Sequence, residues 1–117
     1  MQQVVSGSEG WSGPRTVLVS GALGAVGQAC VETLATLGVQ TVLHDVRQND
    51  ENGLSLSALA ARAKAWGATA VTAQGDVRDS ACLDYIRDMA AQRLNGLDAC
   101  VWCVGEPTAA RFSKMAA

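Results

Sequence analysis

Residues 16–27 read TVLVSGALGAVG, a short apolar run that three glycines interrupt at the point where a helical pattern begins. This pattern predicts a strand that opens onto the N-terminus of a helix, whose first N–H groups lack intrahelical partners and attract anions. We expect Gly21 to permit the tight turn, Gly24 to let phosphate groups approach the backbone, and Gly27 to let the helix pack close to the sheet. The stretch therefore predicts a phosphate-binding turn.

The rest of the chain alternates further apolar runs with helical patterns. The predicted strands cover residues 16–20, 41–45, 69–73 and 97–104, and the predicted helices cover residues 25–37, 54–66 and 80–93. We expect the core side of the first helix to carry Val26, Ala29, Cys30, Leu34 and Leu37. The alternation predicts a doubly wound parallel sheet with helices on both faces, right-handed crossovers and the strand order 3-2-1-4.

The 117 residues suffice for one domain. We expect a flexible leader over residues 1–14, a nucleotide-binding domain over 15–107, and a tail over 108–117 that leads into a missing C-terminal half. Apolar residues make up 49% of the chain, which does not indicate a disordered protein. The net charge of −2 does not indicate a protein that binds nucleic acid. Because no membrane-spanning run or signal peptide is evident, we expect a cytoplasmic protein without a membrane partner.

Four cysteines lie within apolar segments rather than in a loop-rich disulfide framework, so we interpret them as buried free thiols. Cys100 and Cys103 form a C-x-x-C motif, which can indicate a zinc or redox site. Residues three apart on a strand point to opposite faces, and the chain has no second such motif. The sequence therefore predicts a structural role for this pair and no metal site.

In a parallel α/β sheet, ligands bind beyond the carboxyl ends of the strands. Asp45 ends the second strand, where a carboxylate can accept the hydroxyl protons of an adenosine ribose and repel a 2′-phosphate, which favours NAD over NADP. Arg47 lies two positions after Asp45, and an arginine at this place can accommodate the 2′-phosphate of NADP. Asp76 and Val77 lie where adenine would meet the third strand, and Gly105 would let the backbone approach the ribose. The complete predicted cofactor site comprises Gly21, Leu23, Gly24, Ala25, Val26, Gly27, Asp45, Val46, Asp76, Val77, Val104 and Gly105.

Together these motifs resemble the N-terminal half of the short-chain dehydrogenase/reductase family. The resemblance rests on SGALGAVG, LHDV, GDV and LDACVWCVG, which stands where the family has LDVLVNNAG, and on RFSKM near the end of the chain. It implies a Rossmann-like fold, a nicotinamide cofactor, and hydride transfer between that cofactor and a carbonyl or alcohol substrate. Two departures are Ser20, where the family loop has Thr, and the apolar pair Trp102 and Cys103, which replaces two asparagines.

The resemblance also implies that the catalytic Ser, Tyr and Lys lie beyond this chain, so we assign it no catalytic residue and expect it to be inactive alone. Tyr85 is not the family tyrosine because no Lys follows four residues later. His44 lies within a strand and is interpreted as a packed histidine.

The fourth strand is predicted at an edge of the sheet although it is apolar, whereas natural edge strands are short or charged. We therefore expect the missing C-terminal half, or a second polypeptide, to pack on residues 97–104, and the complete protein to be a homo-oligomer. Two alternative functions remain at this stage: a non-catalytic nucleotide-binding subunit, and an S-adenosylmethionine-dependent methyltransferase. A P-loop nucleotide hydrolase is disfavoured because no Gly-Lys-Ser/Thr follows the glycines.

Overall fold

The computed structural model describes residues 12–103, which form four strands and three helices. In chain order these are β1 (Thr16–Ser20), α1 (Ala25–Thr36), β2 (Gln40–Asp45), α2 (Leu56–Trp66), β3 (Ala70–Gln74), α3 (Ser80–Arg93) and β4 (Ala99–Trp102). Every predicted element is present. Residues 1–11 of the predicted leader, the predicted tail, and the site residues Val104 and Gly105 lie outside the described residues.

The four strands form one parallel sheet in the order β3-β2-β1-β4, which confirms the predicted topology. At its centre, Val19 of β1 is in register with Leu43 of β2 and with Val101 of β4. All strands therefore end at the same edge of the sheet, where the loops before α1, α2 and α3 also meet.

Apolar side chains cover both faces of the sheet. One face packs against α1 and α2 through residues that include Val19, Leu43 and Leu59. The other face packs against α3 through residues that include Leu18 and Ile86. Successive residues of β1 thus enter opposite layers, as the strand pleat requires, and the predicted helices on both faces are confirmed.

The predicted core side of α1 is confirmed only in part, because Cys30, Leu34 and Leu37 pack against the core whereas Val26 and Ala29 are exposed. The helix buries Gly27, Val31 and Ala35, whereas Val26 is 66% exposed. Because Gly27 has no side chain, the helix approaches the sheet most closely on that side, and the larger apolar residues are turned toward the helix flank. Cys30, Leu34 and Leu37 are therefore only partly buried against the core.

Capping side chains define the start of two helices. Ser55 Oγ accepts the N–H of Ala58 before α2, and Asp79 Oδ1 accepts the N–H of Ala81 before α3. Helix α2 starts two residues later than predicted because Ser55 is its N-cap.

Strand β4 begins at Ala99, two residues later than predicted. The carboxylate of Asp98 accepts the N–H groups of Arg15 and Thr16, so this residue closes the corner beside β1 instead of extending the strand. Within residues 12–103, β4 pairs only with β1, and Trp102 is 54% exposed. The predicted edge position of this strand is confirmed. No helix in this part of the chain is long and apolar enough to cross a membrane.

Candidate functional site

The glycine turn is anchored on the end of β2. Gly21 has a φ of 84°, a left-handed conformation that favours glycine. The N–H groups of Gly21 and Ala22 both donate to the carbonyl oxygen of His44, at 2.8 and 2.9 Å. The turn between β1 and α1 is therefore held by the neighbouring strand.

Gly24 and Gly27 face different surroundings. A Cβ on Gly27 would overlap the carbonyl oxygen of Gly21 and lie 2.8 Å from the Cα of Ala22, whereas one on Gly24 would be 3.5 Å from its nearest neighbour, the Gly21 oxygen. Gly24 is also the N-cap of α1 and provides no side-chain cap. The first-turn N–H groups of α1 therefore form a positive helix terminus that no capping side chain covers.

Asp45 lies beside this helix terminus, and its side chain is only 5% exposed. Its Oδ2 accepts the N–H of Leu23 at 3.0 Å, and its Oδ1 accepts the N–H of Arg47 at 3.0 Å and the Arg47 Nε–H at 3.2 Å. Burial raises the pKa of Asp45, but the hydrogen bonds from Arg47 and Leu23 outweigh burial, and the pKa lies below its ordinary value. A buried, ionised carboxylate thus connects the glycine turn to the end of β2.

The lowered pKa gives stability a defined pH dependence. Because the folded-state pKa of Asp45 is below the unfolded value of 3.8, its contribution is fully present above that value and is lost as the pH falls toward the folded-state pKa. We expect Asp45→Asn to reduce the free energy of unfolding at neutral pH by about 1–3 kcal/mol. In urea unfolding from about pH 7 to pH 3 the difference from the wild type should shrink with acidification. A pH-independent difference would contradict this role.

Asp76 and Arg78 form a second ion pair at the same edge, after β3. Arg78 Nη2 lies 2.7 Å from Asp76 Oδ2; the Arg78 side chain is largely exposed and that of Asp76 is partly exposed. Hydrogen bonds from the side chain and backbone of Arg78 lower the pKa of Asp76 to about 2. Asp76 is therefore ionised at neutral pH, and its outward position leaves it accessible to a ligand.

His44 joins the ends of three strands. Its Nε2 is 2.7 Å from the carbonyl oxygen of Gly75, and its Nδ1 is 2.9 Å from Ser20 Oγ, with the ring fully buried. A carbonyl oxygen can only accept, so Nε2 carries the proton and Ser20 donates to Nδ1. His44 is a packed histidine, as predicted, and it also connects the residue before the glycine turn to the residue before Asp76.

Gln28 is a site residue that the sequence analysis missed. Its Nε2 donates to the carbonyl oxygen of Leu23 at 2.8 Å and to Asp50 Oδ2 at 3.0 Å. Asp50 Oδ1 accepts the N–H groups of Asn52 and Leu54, which holds the loop before α2. The sequence shows this loop only as a polar connection, and nothing in its pattern identifies Gln28 as its partner.

The structure collects the predicted residues at one edge but gives them different surroundings. Gly21, Leu23, Gly27 and Asp45 are buried, and Leu23 belongs to the core. Ala25, Val26 and Val46 are exposed, while Gly24, Asp76 and Val77 are partly exposed. Tyr85 lies on the outer side of α3, in a groove with Asp88, Met89, Gln92 and Arg93.

The cysteines depart from their prediction as buried thiols. All four are free, but Cys100 is exposed and Cys30, Cys82 and Cys103 are only partly buried. Cys100 is exposed because it lies on the edge strand β4. Cys103 turns toward α1, where its sulfur meets that of Cys30.

The strand order and the helices on both faces define a Rossmann-like α/β fold. The sequence model of the short chain dehydrogenase family matches residues 15–117, and the chain belongs to this family. This assignment sets aside the methyltransferase alternative. No curated protein sequence matches the chain.

Solved structures of dehydrogenases are similar to the chain. A carveol dehydrogenase from Mycobacterium avium in complex with NAD is 26% identical, with a TM-score of 0.68 over 80% of this chain and 36% of that one. A short chain dehydrogenase from Mycobacterium thermoresistibile is 21% identical, with a TM-score of 0.68 over 86% of this chain and 40% of that one. A hydroxysteroid dehydrogenase from Escherichia coli is 21% identical, with a TM-score of 0.67 over 79% of this chain and 37% of that one. The chain thus spans 40% or less of the length of these three proteins.

Proposed function

We propose that this chain binds the adenosine diphosphate part of NAD and forms the cofactor-binding half of an oxidoreductase. The uncapped N-terminus of α1 beside the buried carboxylate of Asp45 carries the proposal. The helix terminus would hold the diphosphate, and Asp45 would accept from the adenosine ribose. When bound, the nicotinamide would accept or donate a hydride, with a carbonyl or alcohol as the substrate.

The space at Gly24 supports the fit of a dinucleotide. No atom of residues 12–103 lies close enough to exclude a Cβ at this position, so packing within these residues does not explain the glycine. A phosphate that contacts bare backbone does require it. Exposed Val46 and partly exposed Val77 would then contact the adenine ring. Asp76, which lies between the end of β3 and the start of α3, would lie next to them.

Arg47 bears on the choice between NAD and NADP. Its guanidinium lies on the carboxylate that would accept from the ribose, and about half of its side chain is exposed. A ribose would share Asp45 with Arg47, while a 2′-phosphate would meet the negative charge of Asp45. We propose NAD as the preferred cofactor on this basis, with Arg47 as the group that would tolerate NADP.

The test compares Asp45→Asn with the wild type in calorimetric titrations with NAD and with NADP. We expect NAD affinity to fall about tenfold and discrimination against NADP to narrow, because the amide keeps the size of the side chain but lacks its charge. The matched control is Asp84→Asn, which removes an exposed carboxylate of α3. If Asp45→Asn binds NAD as tightly as the wild type does, and also binds NADP as tightly as the wild type does, the ribose assignment is refuted.

The proposal includes additional polypeptide beside β4, on the edge that no strand of residues 12–103 pairs with. The exposed Trp102 and Cys100 and the partly buried Val101 form an uncharged edge, which favours pairing with another strand. That polypeptide would be the C-terminal half with the catalytic residues, and the complete protein would be a homo-oligomer. NAD binding without turnover by the complete protein would favour the alternative of a non-catalytic nucleotide-binding subunit.

A further inference from the structure

Two cysteines that are far apart in the sequence meet beside β4. The Sγ atoms of Cys30 and Cys103 are 4.0 Å apart, although 73 positions separate the residues. Cys30 belongs to α1, and Cys103 directly follows β4. Both side chains are partly exposed and both thiols are free.

Within residues 12–103, Cys30 lines a surface groove. The groove has a volume of about 490 Å³ and its lining contains no charged residue: Ala25, Val26, Ala29, Cys30, Thr33, Leu34 and Val101. A low-molecular-weight disulfide that enters this groove meets Cys30 first, because Cys103 is not part of its lining. Cys103 packs against the same core layer from the sheet side.

We propose that Cys30 and Cys103 form a reversible disulfide in the presence of a low-molecular-weight disulfide. The Cys30 thiolate attacks one sulfur of the reagent, forms a mixed disulfide and releases one small thiol. The Cys103 thiolate then attacks the Cys30 sulfur, forms the protein disulfide and releases the second small thiol. The two protein thiols are oxidised by two electrons, the reagent is reduced by two, and the two thiol protons leave on the released thiols.

The surroundings make this pairing selective. The sulfurs need to close by about 2 Å to reach bonding distance. Cys100 is exposed on the edge strand, and Cys82 packs with the opposite core layer. Burial, and secondarily the adjacent Cys30, raise the pKa of Cys103, which lowers its thiolate fraction and slows its attack on a free reagent. Its attack on a mixed disulfide at Cys30 is intramolecular, because the two sulfurs already lie 4.0 Å apart.

The bond would join α1 to the end of β4 next to the glycine turn. The N–H of Cys103 donates to the carbonyl oxygen of Ser20 at 2.7 Å, and Ser20 directly precedes that turn. A disulfide here would close a long loop and restrict the unfolded chain, so oxidation should raise the Tm by several degrees. This inference is independent of the proposed cofactor.

The experiment uses Cys82→Ser/Cys100→Ser protein, in which only the proposed pair remains. After incubation with oxidised glutathione we expect a mass loss of about 2 Da, a peptide that links Cys30 to Cys103, a higher Tm, and reversal by dithiothreitol. The wild-type chain should yield the same linked peptide, which shows that Cys82 and Cys100 do not compete. A stable glutathione adduct, a disulfide-linked dimer or an unchanged mass would overturn the proposal, as would a Cys100–Cys103 bond in the wild type.

Discussion

Gly27→Ala is expected to unfold the protein or to reduce its free energy of unfolding by about 3 kcal/mol or more, whereas Gly24→Ala should leave it folded and unable to bind NAD tightly. The two changes add the same methyl group, three residues apart, in the same turn. At Gly27 the methyl would overlap the backbone of Gly21 and Ala22, which cannot move without breaking the bonds to His44.

The methyl at Gly24 meets no such obstacle in the part of the chain that the structure describes. Its backbone has a φ of −73° and a ψ of 166°, a conformation open to any residue, and the nearest atom is at ordinary contact distance. We expect the free energy of unfolding to change by less than about 0.5 kcal/mol and NAD affinity to fall at least about tenfold.

Urea unfolding and calorimetric titration with NAD measure the two effects separately. Stable Gly27→Ala protein would contradict the close packing of α1 on the turn. Gly24→Ala protein with unchanged stability and unchanged NAD affinity would contradict the phosphate role of the turn, and the proposed function with it.

The second large effect is expected at His44. His44→Leu introduces an apolar side chain of similar size. It leaves the buried Ser20 Oγ and the Gly75 carbonyl oxygen without their histidine partner. We expect the free energy of unfolding to fall by about 2–4 kcal/mol. Ser20→Ala should cost about 1–2 kcal/mol, and less in the His44→Leu background, because the shared hydrogen bond is then already absent.

Thr41 provides the matched control on the same strand. Its buried hydroxyl has no hydrogen-bond partner among the described residues, so Thr41→Val should be neutral or stabilising. Urea unfolding of the four variants measures all of these differences. Additive effects of Ser20→Ala and His44→Leu, or a Thr41→Val effect as large as that of His44→Leu, would show that the histidine acts by filling space only.

Local sequence patterns sufficed for the elements and their order. The bounds of β1 and α3 agree with the prediction because each has a clear local signal, an apolar run before glycine in one case and the Asp79 cap in the other. The inward side of α1 could not be predicted from hydrophobicity. The missing side chain at Gly27 determines how the helix approaches the sheet, whereas the larger apolar residues favour the neighbouring side of the helix.

The site was predictable where a position on the sheet determines it. Asp45 lies at the end of β2 beside the turn, as the strand order requires. Arg47 on its carboxylate, the link from Gln28 to Asp50, and the bridge through His44 depend on side-chain directions in loops. Sequence periodicity carries no information about those directions.

The attachment of the glycine turn to the His44 carbonyl oxygen has a consequence for folding. Both anchoring N–H groups belong to the two residues directly after β1, Gly21 and Ala22. Their acceptor, the carbonyl oxygen of His44, is more than twenty residues later in the chain. The turn cannot reach its final shape as a local hairpin would, since β2 must first dock beside β1. The proposed anion site at α1 therefore forms only once β1, α1 and β2 are paired, and a peptide that ends before β2 would lack it.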